Sequence, residues 1–402
     1  MHKILYFLAI LIAVYSCDNV QNSKRSIEDL VPKNASIVLS INSLDGFKSA
    51  INNNDLLVKT AAFEALKKAL IPLDSLESKS PLLVCINNEG SFNEITFITH
   101  QQNLNAKDSL LIPHVTLDSI IVASNSRATL ESLKTQSSST YSIVSKLQQN
   151  SNTFSVYLKA FPMLKSMPLL NLQSVYFGLN VTPESIAING TVLDQKSKNR
   201  WFQFFEKLEP QPQSLQTIMP AQSANVKTFN YTDFEQLTRN IDSAGYTSKV
   251  VPLAKAFFNT IKEVGFFETP KGDGIALKSI DISATYETLS SFQNELSSFR
   301  SVPIFEFTET TMFNTAFGPL LPHVKTTKFI TLDDYLVFSD SKELLELVIS
   351  NHQNKNTLES LYAYQNIQKS LSDEASFQTN FDTQSLANTL NELFNTTLKK
   401  EA

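Results

Sequence analysis

The sequence predicts an α+β fold built from two tandem related copies, with antiparallel or mixed sheets packed against amphipathic helices. Short alternating apolar runs bounded by turn residues favour strands, and segments with apolar residues three and four apart favour helices. Two pairs of similar segments at nearly constant spacing indicate an internal duplication. With 42% hydrophobic and 18% charged residues, the chain has the composition of a folded protein.

The chain opens with the features of a signal peptide over residues 1–16. A short basic start, Met1-His2-Lys3, precedes the apolar run Ile4–Val14. This run suits the apolar part of a signal peptide and is too short to span a bilayer. We therefore expect residues 1–16 to be removed from the mature protein.

The end of this signal, Val14-Tyr15-Ser16-Cys17, resembles a lipobox. The resemblance implies cleavage after Ser16 and acylation of Cys17, although Val14 and Tyr15 depart from the leucine and small residue of the usual pattern. Buried acyl chains contribute ~0.8 kcal/mol per CH₂, so several of them would make attachment permanent. The polar residues 17–30 would then form a lipidated, flexible tether. A plain secretory signal or an uncleaved anchor is the alternative.

The first pair of similar segments marks the start of each copy. Residues 31–42 resemble residues 219–230, with a proline, a valine and an asparagine aligned at an offset of 188. Each segment predicts a proline-led turn and a strand. A helix follows, from Leu44 onward in the first copy and from Tyr231 onward in the second.

The second pair consists of Leu117–Ser126 and Leu332–Ser341, at an offset of 215. The growth of the offset predicts 27 extra residues in the second copy between the two pairs. Each segment predicts a strand followed by a helix that Ser, Asn or Asp caps. In the second copy, Asp340 and Glu343 have the spacing of a capping box.

These pairs set the expected boundaries, with the first copy over residues 31–210 and the second over residues 211–402. A helix over Thr383–Leu398 is predicted to end the second copy. A weaker echo joins Thr182-Pro183 to Thr269-Pro270, and each predicts a hairpin turn that enters a strand.

The opening pattern V-P-x-x-A-x-x-V, an early strand and helix, and a duplicated α+β body after a lipoprotein signal resemble a domain family of unknown function in bacterial envelope proteins. The resemblance covers residues 31–390. It implies a fold and an envelope location, and no activity comes with it.

Composition argues against nucleotide-dependent enzymes and against nucleic-acid binding. The chain has only 9 glycines, and neither G-x-x-x-x-G-K nor G-x-G-x-x-G occurs, although phosphate-binding loops need such glycines. The formal net charge is −5, or −6 once Lys3 leaves with the signal, and lysines and arginines form no cluster. We expect no cofactor and no nucleic-acid partner.

The sequence predicts no catalytic or metal site. No histidine has another histidine three or four residues away. His114 and His323 recur in the two copies, which favours a packing position over a site shared between copies. Asp118 and Asp333 also recur, and turn positions explain them better than a glycosidase carboxylate pair. We therefore predict that the protein is not an enzyme.

Weaker indications of a functional role come from the remaining thiol, the aromatic residues and some serines. Because Cys17 is assigned to lipid, Cys85 has no partner, and its apolar surroundings favour a buried core thiol. The 28 phenylalanines favour a core role, with a groove for a hydrophobic ligand as the alternative. Triplets of aspartate, serine and an apolar residue resemble the O-glycan acceptor of one Gram-negative lineage, which makes candidates of Ser75, Ser109 and Ser243.

Together these features predict a membrane-anchored envelope lipoprotein that acts as a non-catalytic interaction or scaffold module. Its expected partners are the membrane, through the lipid, and an envelope protein. The expected location is the outer membrane, facing the periplasm or the surface. The alternative is a carrier or binding protein for a lipid or another hydrophobic ligand, which predicts a continuous apolar cavity.

Overall fold

The computed structural model describes twelve stretches of the chain: 25–55, 81–87, 94–103, 112–136, 138–147, 154–159, 174–183, 186–192, 200–246, 252–292, 294–369 and 371–380. These residues fold as two compact units. The first holds described residues up to Ser49 and from Pro81 to Tyr157, and the second holds Ala50–Asp55 and everything from Leu158 onward.

The first sheet has eight strands, in the order β4-β5-β3-β2-β1-β6-β7-β8. Its central strands are buried on both faces, and Cys85 of β2 lies opposite Val38 of β1 and Thr96 of β3. The division between the compact units falls inside β6, so β7 and β8 belong to the second unit. The strands are β1 (Ile37–Ile41), β2 (Leu82–Asn87), β3 (Glu94–His100), β4 (His114–Leu117), β5 (Ile120–Ser124), β6 (Phe154–Leu158), β7 (Val175–Val181) and β8 (Ile186–Val192).

In the described residues, three 3₁₀-helices and three α-helices accompany this sheet, whereas a fourth α-helix, Arg200–Phe204, packs into the core of the second sheet. The 3₁₀-helices cover Ile27–Leu30, Gln101–Asn103 and Ser145–Leu147. The α-helices are α1 (Leu44–Asn52), α2 (Arg127–Lys134), α3 (Thr140–Val144) and α4 (Arg200–Phe204).

The second sheet also has eight strands, in the order β13-β14-β15-β16-β12-β11-β10-β18. A separate two-stranded ribbon pairs β9 (Gln211–Pro212) with β17 (Glu374–Ala375). The strands of the main sheet are β10 (Ala224–Asn230), β11 (Ile261–Thr269), β12 (Gly272–Ser279), β13 (Glu295–Phe299), β14 (Val302–Glu306), β15 (Lys328–Leu332), β16 (Tyr335–Ser339) and β18 (Phe377–Asn380).

Helices cover both faces of this second sheet. The 3₁₀-helices span Leu215–Thr217, Ser290–Phe292 and Leu358–Ser360. The α-helices are α5 (Phe234–Ser243), α6 (Pro252–Phe258), α7 (Ile282–Thr288), α8 (Met312–Phe317), α9 (Lys342–Gln353) and α10 (Tyr362–Gln368).

The predicted α+β duplication is confirmed by the strand order. The six strands β4-β5-β3-β2-β1-β6 correspond in order and connection to β15-β16-β12-β11-β10-β18. Each copy then adds one hairpin at opposite ends of this common set, β7–β8 beside β6 and β13–β14 beside β15. The hairpin β13–β14 lies where the growth of the sequence offset predicts extra residues.

The helix after the second repeated segment starts in the same way in both copies. Ser126 and Ser341 each cap their helix by accepting a hydrogen bond, from the Thr129 N–H at 3.3 Å and from the Leu344 N–H at 3.2 Å. The predicted capping box at Asp340 is therefore wrong by one residue. Asp340 instead accepts the hydroxyl hydrogen bond of Thr327 at 2.6 Å, which fixes the carboxylate outside the helix.

The fold begins before the end of the predicted tether. Ile27–Leu30 form a 3₁₀-helix in which Ile27 is 4% exposed and Leu30 is fully buried. Ser26 starts it, and Ser214 starts the matching 3₁₀-helix of the second copy at the same offset of 188. Residues 26–30 therefore belong to the folded part, because two of their side chains contribute to the core.

The core of the second unit is rich in phenylalanine. Phe338 of β16 is fully buried, and its ring centroid lies 4.9 Å from those of Phe307 and Phe313 and 5.3 Å from that of Phe329. On the opposite face of the sheet, the apolar side of α9 packs with the Leu215–Thr217 turn. These aromatic residues thus have the core role that composition favours.

Candidate interaction surface

Exposed apolar side chains of the described residues concentrate in one short stretch. Seven large apolar residues are exposed among all the described residues, and four of them lie within residues 361–371. Tyr362 is 77% exposed and Ile367 is 55% exposed. We call these four residues the α10 surface: Leu361, Tyr362, Ile367 and Leu371.

Two contacts attach the stretch around this surface to the rest of the second unit. The buried Leu358 donates its N–H to the carbonyl of Met219 at 3.0 Å, which ties the start of the stretch to the opening turn of the second copy. Tyr364 shares a side-chain hydrogen bond with Gln378 of β18, and burial raises the pKa of its phenol. Helix α10 itself has no fully buried residue, and its side chains Tyr362 and Ile367 face outward.

A buried carboxylate organises the turn beneath this region. Glu263 of β11 is fully buried and accepts hydrogen bonds from the Ser214 N–H at 2.9 Å, the Ser214 hydroxyl at 2.7 Å and the Leu215 N–H at 3.3 Å. Burial raises the pKa of this carboxyl, and the three hydrogen bonds oppose that shift. A carboxylate among three donors is a structural clamp on the turn.

Next to this clamp lies a series of hydrogen-bonded polar groups that contains no activated nucleophile. The Thr217 hydroxyl lies 2.8 Å from the Tyr335 hydroxyl and donates to the Ser214 carbonyl at 2.8 Å. His352 approaches the Thr217 carbonyl at 3.4 Å through Nδ1 and Asp333 at 2.9 Å through Nε2. Its imidazole is thus engaged away from the Ser214 hydroxyl, so the arrangement lacks the serine–histidine contact of a hydrolase.

The recurrent aspartates occupy hairpin turns, whereas the recurrent histidines do not fill the packing position predicted for them. Asp118 and Asp333 both have positive φ in the hairpin turns β4–β5 and β15–β16. His114 and His323 are both exposed. Over the described ranges, no three histidine, cysteine or acidic side chains gather where they could hold a metal ion.

The other predicted site residues divide between described and undescribed parts of the chain. Cys17, Ser75 and Ser109 lie outside the described residues, as does the helix predicted over Thr383–Leu398. Ser243 is the exposed last residue of α5. Its glycosylation stays a prediction.

Cys85 is a core thiol. Its side chain is 2% exposed on β2, and burial raises the pKa of its thiol far above the usual range. A thiol held protonated is a poor nucleophile, so Cys85 has the structural role that its apolar surroundings predict.

A small recess borders Cys85, and it holds almost no space that a water molecule could occupy. Its lining mixes apolar and polar side chains: Pro32, Asn34, Ala35, Cys85, Asn87, Glu94, Thr96 and Thr129. Sites for drug-sized ligands begin at roughly 300 Å³ and are mostly apolar, so this recess does not suit a lipid. The carrier function stays a prediction.

No helix among the described residues combines the length and the hydropathy that crossing a bilayer requires.

Comparison with known proteins gives weak structural similarity alone. No family model matches the chain, and no curated protein sequence matches it. Two solved structures, crystal forms III and I of TP0453, align with TM-scores of 0.27 and 0.26 at 11% and 10% identity. Each alignment covers 48% of this chain, and 90% and 88% of the respective TP0453 chains.

Sequence reasoning missed the α10 surface. The stretch Leu361–Leu371 contains apolar residues among polar ones, which is also the pattern of a core helix. Only the high exposure of Tyr362 and Ile367 distinguishes it. The one available signal was the position of this stretch between the repeated helix α9 and the strand β18. Its apolar residues do not continue the apolar stripe of α9.

Proposed function

We propose that the protein is a membrane-anchored envelope lipoprotein that acts as a non-catalytic interaction module, with the α10 surface as its contact site for a partner protein. The observation that carries this proposal is the clustering of exposed apolar side chains within residues 361–371. Single exposed apolar residues are common, whereas several exposed within one short stretch favour a protein contact site.

The chemistry of this stretch suits a protein partner. Tyrosine combines a large apolar ring with a hydroxyl and is enriched in protein interfaces, and Tyr362 presents 77% of its surface. The stretch is ordered by hydrogen bonds to the rest of the second unit, since Leu358 bonds to Met219 and Tyr364 bonds to Gln378. A preordered surface loses less entropy on binding than a mobile one.

Anchoring is tested at Cys17. We expect the Cys17→Ala variant to remain unprocessed or to leave the membrane fraction, because it has no thiol for the lipid. Membrane fractionation and electrophoretic mobility measure both outcomes. A variant that fractionates and migrates like the wild type would contradict the anchoring proposal.

The contact site is tested by charge substitution. Ile367→Glu and Tyr362→Glu should each reduce partner capture from detergent-solubilised envelopes by about tenfold, because a carboxylate cannot be desolvated against an apolar partner without a large cost. Ile280→Glu is the matched control, since Ile280 is 65% exposed outside the α10 surface. We expect it to capture the partner normally. Equal capture by all three variants would refute the assignment of the surface.

A further inference from the structure

The outer edge of β18 offers a second feature of the same region. β10 pairs with β11 on one side and with β18 on the other, and β18 ends the sheet. The register places Asn380 opposite Val226 and Phe377 opposite Phe229 without a shift. Over the residues that the structure describes, no strand pairs with the other side of β18.

The hydrogen-bond pattern shows which backbone groups face that edge. The Asn230 N–H donates to the Ser376 carbonyl at 3.0 Å, and these two residues are opposite each other in the same register. Bonded and non-bonded pairs alternate along an antiparallel ladder. Gln378 therefore bonds toward β10, whereas Phe377 and Thr379 direct their N–H and C=O groups outward.

Apart from its short length, this edge lacks the charges, prolines and bulges that protect other edge strands. Residues Phe377–Asn380 include no charge and no proline, and their pairing contains no bulge. The opposite edge of the same sheet, β13, carries Glu295 and has a register shift between Glu295 and Ser297. Charges and bulges are the usual means of preventing strand addition, so β13 has a protection against it that β18 does not have.

The first copy provides a template for what fits beside β18. Its corresponding strand β6 is followed outward in the sheet by β7. β7 is uncharged, and apolar side chains occupy its alternate positions Val175, Phe177, Leu179 and Val181. The common six-strand core therefore accommodates an added strand of this composition at this position.

We propose that the outer edge of β18 accepts a strand from a partner protein, namely an extended, uncharged segment with apolar residues at alternate positions. The inference rests on the proposed interaction function and names the kind of partner. Main-chain hydrogen bonds from Phe377 and Thr379 provide affinity, as in other cases of strand addition. Tyr364 joins α10 to β18 through Gln378, so such a strand would lie next to the α10 surface.

Thr379 permits a selective test of the edge. Thr379→Pro removes an outward N–H and leaves the ladder bonds to β10 in place, which is where edge strands tolerate proline. Thr379→Val is the matched control, because it retains the backbone N–H. The hydroxyl that it removes is buried and has no hydrogen-bond partner in the described structure.

The experiment measures binding of a fluorescent peptide of residues 174–183, which contains β7, to the full-length protein by anisotropy. We expect saturable binding to the wild type and to Thr379→Val. For Thr379→Pro we expect the affinity to fall by at least about tenfold. A peptide of the same composition in scrambled order should not bind. Absence of binding, or equal affinity for Thr379→Pro, would overturn the inference. So would a wild-type dimer in sedimentation that Thr379→Pro dissociates, since the occupant would then be a second copy.

Failure of this inference is distinguishable from failure of the proposed function. If Thr379→Pro captures the envelope partner normally while Ile367→Glu does not, the contact site stands and strand addition is wrong. If Ile367→Glu captures normally while the peptide still distinguishes the Thr379 variants, strand addition stands and the α10 surface is wrong.

Discussion

Replacing Phe338 with alanine is expected to lower the free energy of unfolding of the second unit by about 3–5 kcal/mol. The side chain is fully buried, and its ring contacts those of Phe307, Phe313 and Phe329 at centroid distances of 4.9–5.3 Å. Rings on both the sheet and its helices surround the position, so the cavity cannot collapse without moving several elements. Both the lost burial and the remaining cavity contribute to the expected change.

The measurement is denaturant unfolding of the detergent-solubilised protein followed by tryptophan fluorescence. Trp201 is the only tryptophan, and its ring packs 4.6 Å from that of Phe377 in the second unit, so the signal reports on that unit. Leu296→Ala is the control, because Leu296 is 48% exposed and should change stability by less than about 0.5 kcal/mol. Similar unfolding midpoints for the two variants would contradict the assigned core.

Glu263→Ala is expected to destabilise the second unit by about 2–3 kcal/mol, because it leaves three donors without their acceptor. The Leu215 N–H is buried, and the Ser214 N–H and hydroxyl are half-buried. The same unfolding assay measures the effect. Glu295→Ala provides the control, since Glu295 is an exposed carboxylate on β13. A change no larger than that of the control would rule out the clamp.

The same carboxyl predicts a pH dependence with a definite sign. Burial raises the pKa of Glu263 above its ordinary value of 4.5, so the folded state retains the proton to higher pH than the unfolded chain does. Stability from this group is therefore fully present below pH 4.5 and is lost as pH rises through the folded pKa. Glu263→Gln does not titrate, so the wild type should lose stability relative to it as pH rises. A constant difference would contradict the raised pKa.

The duplication could be predicted because turn and cap chemistry is local. The repeated aspartates at 118 and 333 occupy hairpin turns, and the repeated serines at 126 and 341 cap helices, so their spacing followed directly from the fold. The weaker echo between Thr182-Pro183 and Thr269-Pro270 did not identify equivalent elements. It joins the hairpins β7–β8 and β11–β12, which hold different places in the two sheets and share turn chemistry alone.

Other features depended on contacts distant in sequence. The turn at Ile27–Leu30 carries two apolar residues among polar ones, and its burial comes from the body of the first copy. Gln136 and Ser139 donate to carbonyls in and next to this turn across more than 100 residues. Glu263 likewise meets Ser214 from 49 residues away. Local patterns carry no information about such pairs, which is why neither turn nor clamp was predicted.

The most direct test of the interaction account is photo-crosslinking in living cells. A benzoylphenylalanine at position 362 replaces an exposed tyrosine by a ring of similar shape, and the same residue at position 280 serves as the matched exposed control. The account predicts a crosslinked species of defined mass from position 362 that position 280 does not yield. Identical products from both positions, or none from position 362, would contradict it.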